Sequence, residues 1–393
     1  AGTIRNNGTP WPGLCYLTPN KEYKDNGIAR VLNFAGLVPP EQSRFFNWSK
    51  PFVQLETTRG CFNTCAFCVS GGEKPVRTLS IESIRERLQL IHAHGIKNVR
   101  VLDRTFNYNP RRAKELLRLF LEFHPDIRFH LEIHPALLSE ELKEELSLLP
   151  KGLLHLEAGI QSLREPVLEK SRRMGKLSDA LDGLRFLCAL PNMETHADLI
   201  AGLPLYHLHE IFEDVRTLAG YAAGEIQLES LKLLPGTEMR RRAEELGIKY
   251  SPLPPYEVLQ THEISVSELQ TARQLSRLLD GFYNTPAWQA LTRELILNDE
   301  QFLHRFLAYL TKANLIDQPM SLEKRGLILY EFCKQNYPEY QIQAAIAWIE
   351  AGMSLKKLPA EKSMDQTTNP SCHLEYHLWR IQRKPSSVFP SCR

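Results

Sequence analysis

The chain of 393 residues carries a formal charge of +2, with 43% hydrophobic and 24% charged residues. That is an ordinary globular composition, long enough for two or three domains and a sizeable core. The near-neutral balance argues neither for nor against nucleic acid or acidic membrane surfaces; no apolar run approaches the ~20 residues of a membrane span, and no charged-then-apolar signal peptide opens the chain, so a cytoplasmic location is expected.

Residues 1–50 are rich in Gly, Pro and Asn and read as a leader wrapped over a domain. The opening AGTIRNNGTP has no initiator Met, so residues upstream are expected. From Pro51 to about residue 245, short β-like runs alternate with helix-like runs. The predicted strands are Phe52–Thr57, Asn98–Asp103, Arg128–Ile133, Leu153–Ile160, Thr195–Leu203 and Glu225–Leu234. Ser80 suits a helix N-cap ahead of Ile81, Ile84, Leu88 and Ile91 on one face, and Pro110 suits the first position of a helix striped by Leu116, Leu119, Phe120 and Phe123. Strand–helix alternation with short connections means a parallel sheet. An open doubly wound sheet and a partial barrel both satisfy the pattern, and in both, ligands collect beyond the carboxyl ends of the strands.

Past Pro252 the strand texture stops. Leu269, Ala272, Leu275, Leu279 and Phe282 recur at helical spacing, as do Phe302, Phe306 and Leu310. Residues 246–358 therefore read as a helical C-terminal domain whose aromatic stripe is core. Residues 359–393 read as a loose tail.

The chemistry concentrates in RGCFNTCAFCVSGG, which directly follows the first predicted strand. Clustered thiols in a reducing compartment point to a metal or to catalysis rather than a disulfide framework. A closed structural zinc site needs four ligands, and here Cys61, Cys65 and Cys68 stand without an adjacent fourth thiol or histidine. Three thiolates would leave one position of a zinc ion or iron–sulfur cluster open to something reactive. Of the other cysteines, Cys188 and Cys333 lie in apolar helical stretches and read as buried small hydrophobes, whereas Cys15, Cys372 and Cys392 show no ligand spacing. At the end of the second strand, Asp103, Arg104, Thr105 and Asn107 crowd a position where ligands sit; a structural Asp103–Arg104 pair is the competing reading.

CFNTCAFC resembles the Cys-x3-Cys-x2-Cys signature of the radical SAM superfamily, with the aromatic Phe67 just before the last cysteine. The resemblance implies that Cys61, Cys65 and Cys68 hold a [4Fe–4S] cluster whose open iron chelates S-adenosylmethionine, and that an electron donor such as a flavodoxin or ferredoxin drives its cleavage to a 5′-deoxyadenosyl radical. It implies a partial (β/α)6 barrel of TIM type over residues 51–245, deciding by analogy between the two α/β options. HLEAGIQS resembles a fourth-strand motif in which Glu157 and Gln161 face S-adenosylmethionine; Glu157 also needs a partner on physical grounds, as a charge in an otherwise apolar strand. KSRRMGK offers Arg172 or Arg173 to the carboxylate, and HADLIAGLP places Ile200 and Gly202 beside the adenine. Gly202, like Gly236 in LLPGTEM, reads equally well as a turn glycine. Gly71–Glu73 imitates the superfamily's Gly-Gly-Glu motif but follows the wrong strand, so it is taken as coincidence.

The combination of LDRTFN, HLEI, EAGIQS, HADLIAGLP and PPYEVLQT with a helical end resembles radical SAM proteins that carry an upstream cobalamin-binding domain. That resemblance implies methyl transfer or a radical rearrangement on an unidentified substrate, with cobalamin supplied by a domain outside this chain; no Asp-x-His-x-x-Gly loop occurs within it. Two alternatives stand beside it: a cobalamin-independent, methylthiotransferase-like RNA modifier, although no basic stripe marks an RNA surface, and a non-catalytic zinc-binding interaction protein.

Overall fold

The computed structural model describes residues 5–6, 9–27, 29, 36–354 and 357. The predicted tail, with Cys372 and Cys392, lies outside the described residues.

Six strands form one parallel sheet: β1 (Val53–Leu55), β2 (Asn98–Val101), β3 (Arg128–Ile133), β4 (Leu154–Gln161), β5 (Glu194–Ala201) and β6 (Glu225–Ser230). Their order in the sheet is their order in the chain. A doubly wound sheet reverses its strand order midway, and this one never does, so the topology is that of a partial (β/α) barrel. The crossovers carry α1 (Ile81–Ala93), α2 (Pro110–Leu121), α3 (Glu140–Leu148), α4 (Glu165–Lys170), α5 (Leu177–Ala189) and α6 (Leu208–Gly220), with α7 (Glu238–Arg241) after β6.

Local chemistry sets these elements. The Ser80 hydroxyl accepts the Ser83 N–H at the start of α1, and Asn109 does the same for Arg112 ahead of Pro110 in α2. Ile84, Leu88 and Ile91 of α1, and Leu116, Leu119 and Phe120 of α2, are buried against the sheet. On β3, Phe129, Leu131 and Ile133 turn to the helices, which leaves Arg128, His130 and Glu132 on the opposite, inner face. The same alternation puts His155 and Glu157 of β4, and His196 and Asp198 of β5, on that inner face, with His130 opposite His155 and Glu132 opposite Glu157. The inside of this barrel is therefore lined with titratable groups.

The last strand ends at Ser230 rather than Leu234. There the chain leaves the sheet, as Lys232 bridges to Glu257 and the Leu233 N–H goes to Tyr256 O at 2.7 Å. A short ribbon of Lys249–Tyr250 with Val258–Gln260 follows, a piece of strand beyond Pro252 that hydrophobic periodicity misses because it is too short to alternate.

The C-terminal region is helical, as expected: α8 (Val266–Leu278), α9 (Pro286–Asn298), α10 (Phe302–Lys312), α11 (Leu322–Asn336) and α12 (Gln341–Glu350). A capping box of Ser265 and Glu268 opens α8. Trp288, Phe302, Phe306, Phe332, Cys333 and Trp348 are buried, in one hydrophobic cluster continuous with that of the barrel. The Asn284 side chain takes both backbone groups of Ile226 in β6, accepting its N–H at 2.9 Å and donating to its carbonyl at 3.0 Å. Among the described residues no helix is long and apolar enough to cross a membrane.

Candidate functional site

The cysteine segment leaves the carboxyl end of β1 and folds back on itself. The Cys61 N–H goes to Glu73 O at 3.1 Å and the Gly72 N–H to Asn63 O at 2.7 Å, closing the loop at its base. Within it, the Cys68 N–H reaches Cys65 O at 3.1 Å and the Gly71 N–H reaches Cys68 O at 3.1 Å. A side chain at Gly71 would place its Cβ 2.6 Å from Cys65 O, so only glycine lets the chain pass under the thiols. The Gly-Gly-Glu stretch thus serves the loop itself.

Neighbouring loops pin this segment. Ala66 donates to Ser171 O at 2.9 Å and accepts from Met239 N at 2.8 Å, tying it to the turn after α4 and to α7. Cys61 and Cys65 are buried, Cys68 is half-buried, and all three are free thiols. Burial pushes the Cys65 thiol up; the Arg173 guanidinium opposes this from 3.8 Å, and the other two thiols add to the rise. Three unpaired sulfurs that sense one another's charge, in one closed loop beside a cation, form a donor set suited to a thiolate-ligated cluster.

The two arginines of KSRRMGK part company. Arg173 turns inward, donating to the Gly159 carbonyl on β4 as well as facing Cys65. Arg172 points away and pairs with Glu238 of α7, so it does not reach the site. Gln161 ends β4 with φ of 72°, just past a register shift at Gly159, which carries it to the rim of the barrel. Ile200 lies on the inner face of β5 opposite Glu229, and Gly202 follows with φ of 91°, a turn that favours glycine. Phe67 packs against the core beneath the loop.

Asp103 is a correction to the sequence reading. It is buried, and its carboxylate accepts the N–H groups of Thr57 and Thr58, each at 2.8 Å, together with the Thr57 hydroxyl. Its oxygens brace the exit of β1 rather than face a ligand. The competing Asp103–Arg104 pair is absent too, because Arg104 instead approaches Glu132 at 3.6 Å.

Glu157 finds its partner in His130, 2.7 Å away across the inner face, and that bond holds its carboxyl below the usual range. Glu132 behaves oppositely: burial, helped by the charges of Glu157 and Asp198 and opposed by Arg104, pushes it up to about 7. Burial and Glu157 likewise raise Asp198 to about 6, and its Oδ1 has no hydrogen-bond partner among the described residues. His134 follows β3; its backbone N–H and C=O are both taken by the Asn107 side chain, at 2.8 and 2.9 Å. Its ring lies against Met174 O at 3.1 Å, and burial together with the Arg173 charge drops its pKa to about 3. Asn63 accepts from Thr64 N and Met174 N, fastening the cysteine loop to the turn that carries Arg173. Sequence reasoning passed over His134, Asn63, Glu132 and Asp198. The signal for the last two was present as a strand-period repeat, His-x-Glu at 130–132 and 155–157 and His-x-Asp at 196–198.

At the carboxyl end of a parallel barrel, then, sit three free thiols and an inward arginine, with a set of carboxylates on the inner face of the strands. Residues 55–218 match the radical SAM superfamily, a class of enzymes whose cofactors are a [4Fe–4S] cluster and S-adenosylmethionine. Further along the chain, residues 244–351 match a second family, described as a protein of unknown function, DUF4080. Among curated relatives, the ribosomal protein uS12 methylthiotransferase RimO of Moorella thermoacetica is 28% identical over 190 residues, covering 44% of this chain and 43% of that one. A tRNA-2-methylthio-N(6)-dimethylallyladenosine synthase of Herpetosiphon aurantiacus is 25% identical over 210 residues, covering 49% and 46%. The chain thus spans less than half the length of either relative. Among solved structures, the cobalamin-dependent S-adenosylmethionine radical enzyme OxsB aligns over 94% of this chain and 64% of its own length, at 13% identity and a TM-score of 0.55. That likeness extends through the helical region and shows the fold.

Proposed function

We propose that Cys61, Cys65 and Cys68 ligate the [4Fe–4S] cluster and that S-adenosylmethionine binds over it, between the cysteine loop and the rim of β4 and β5. When bound, the pair supplies one-electron reductive cleavage that starts radical chemistry. The observation that carries the reading is the meeting of three free thiols with Arg173 at the carboxyl end of the barrel. In this reading Arg173, not Arg172, recognises the carboxylate of S-adenosylmethionine, with Gln161, Ile200 and Gly202 along the same rim. Glu157 lies one inner-face position deeper than Gly159 and is shared with His130. Glu132, pushed up to about 7, and Asp198, raised to about 6 with an unpartnered Oδ1, face the space left for a substrate and offer it hydrogen bonds.

The finer assignment is the cobalamin-associated type, performing methyl transfer or a radical rearrangement. The run of sequence motifs supports it, as does a fold shared with a cobalamin-dependent enzyme through the helical region. Residues 51–245 then form the catalytic unit and 246–358 its helical companion. A methylthiotransferase-like reaction is the second reading, favoured by the curated relatives. The zinc-binding interaction protein gives way to the match with an enzyme superfamily.

Reduced, cluster-loaded protein given S-adenosylmethionine is expected to release 5′-deoxyadenosine slowly without substrate. In the cobalamin-associated reading it forms no S-adenosylhomocysteine unless cobalamin is added. S-adenosylhomocysteine formed without cobalamin would favour the methylthiotransferase reading. Neither product, from a fully loaded and reduced cluster, would overturn the placement of S-adenosylmethionine over these cysteines.

A further inference from the structure

The opposite end of the barrel holds a second constellation that the radical chemistry does not use. His155 of β4, His196 of β5 and Glu225 of β6 stand on neighbouring strands, and one ligand atom from each lies within 4.8 Å of the others. His155 Nε2 and His196 Nε2 are 2.8 Å apart, and His196 Nε2 is 2.8 Å from Glu225 Oε2. Both histidines are buried, at 9% and 6% exposure. Gln161 at the rim lies six positions along β4 from His155, or about 20 Å at roughly 3.3 Å per residue.

While Arg128 holds His155 Nδ1, hydrogen bonding among these groups alone does not close. Arg128 has only donors, and its Nη2 lies 2.8 Å from His155 Nδ1, which must therefore accept. In a neutral ring that puts the His155 proton on Nε2, aimed at His196 Nε2. That nitrogen then needs its lone pair for His155 and a proton for Glu225, and it cannot present both. A cation removes the conflict, because all three ligand atoms can then present lone pairs to one point.

We propose that His155, His196 and Glu225 bind a divalent transition metal, with zinc the best match to two imidazole nitrogens and one carboxylate oxygen. The supporting partners are in place. Glu194 Oε2 lies 3.4 Å from His155 Nδ1 and takes its N–H once Arg128 is held by Glu194 alone, which it already contacts at 2.5 Å. The Gln227 Nε2 lies 3.2 Å from His196 Nδ1, and a flip of that amide on metal binding would bring its oxygen to accept the Nδ1 proton. A carboxylate or amide behind each ligating imidazole is the usual means of fixing its orientation. Zn–N bonds of about 2.0–2.1 Å set tetrahedral ligand atoms about 3.3 Å apart, so the rings swing apart by about half an ångström on binding. A groove at the amino ends of the strands, lined by Phe52, Asn98, Arg100, Arg128, His130 and His155, gives the ion its entry. Three protein ligands leave a fourth position for water.

The test is zinc counted beside iron. Full-length protein, anaerobically loaded with iron and sulfide, is equilibrated with micromolar zinc chloride and desalted. We expect one zinc per chain in addition to the cluster iron. Glu225→Gln and His196→Gln should lower zinc affinity at least tenfold while keeping the iron. The triple variant Cys61→Ala, Cys65→Ala, Cys68→Ala should lose the iron and keep the zinc, and cobalt added to it should show the visible bands of a nitrogen–oxygen tetrahedral site. Wild-type protein without bound zinc, zinc lost together with the cysteines, cobalt without those bands, or full zinc retention by both single-site variants would each overturn the site.

Discussion

The two ends of this barrel are built from the same strands and differ in how their polar groups are satisfied. At the rim, Cys65 and His134 are buried and Asp198 is half-buried, and His134 Nδ1 and Asp198 Oδ1 have no hydrogen-bond partner among the described residues. At the floor, His130, His155, His196, Glu194 and Glu225 lean on one another. A single inner-face pattern, repeated on β3, β4 and β5, thus yields an end with a histidine and a carboxylate to spare and an end whose histidines and carboxylates engage one another, where only Arg128 Nε among the atoms named lacks a partner. Buried polar groups lacking partners are costly, and proteins retain them where a ligand supplies what is missing. The contrast supports, without appeal to family, the rim as the place of the radical chemistry proposed above.

The sharpest way to break the contrast is at the rim. Cys65→Ala should abolish cluster assembly, taking iron after anaerobic reconstitution from about four per chain to under one, since two thiolates do not hold a cubane; full iron retention would mean the ligands are misassigned. Next in size is the pair of adjacent arginines. Arg173→Ala should weaken S-adenosylmethionine binding roughly ten- to a hundredfold, the worth of about 1.5–3 kcal/mol for charged hydrogen bonds. Arg172→Ala should stay within about twofold, because its guanidinium is spent on Glu238. Equal effects by equilibrium binding would erase the distinction drawn from the geometry. Glu157 lies between the two ends, and Glu157→Ala is expected near the low end of that range, about tenfold, with the cluster intact; unchanged affinity would assign its carboxylate wholly to His130.

The smallest effect is a pH dependence that reports on the barrel interior. Glu132 titrates near 7 in the folded chain, above its ordinary value of 4.5. Between those values the folded protein holds a proton the unfolded chain has released, so this group's stabilising contribution is full below the lower value and is lost as pH rises through the upper one. Urea midpoints at pH 5 and 7.5 should therefore fall less in Glu132→Gln than in the parent. Identical slopes would show that Glu132 is already ionised at neutral pH.

Much of this was legible in the sequence. Ser80 and Pro110 announced the starts of two helices, and the alternation of Arg128–Ile133 marked a strand to the residue. The cysteine spacing identified the loop. Asp103 was misread because a polar group at a strand end looks the same from sequence whether it faces a ligand or braces a backbone; only the Thr57 and Thr58 amides, 46 and 45 residues away in the chain, decide it. Arg172 and Arg173 were indistinguishable for a similar reason, since a turn residue with φ of 55° determines which of them points inward. The floor cluster escaped because its three members come from separate strands. Their convergence depends on register, which no local pattern encodes.

The bond pair from Asn284 to Ile226 has a consequence for how the molecule can be divided. β6 is one of the two margins of the sheet, β1 being the other, and it falls between the two matched regions, which end at residue 218 and begin at residue 244. Asn284, on the helical side, stands in for the neighbouring strand that β6 lacks. Cut away at residue 245, the barrel would present a bare edge, open to pairing with another copy of itself. The helical region is thus a selvedge that keeps the sheet from fraying or fusing, and a domain exchange that preserves the barrel must carry Asn284 along with it.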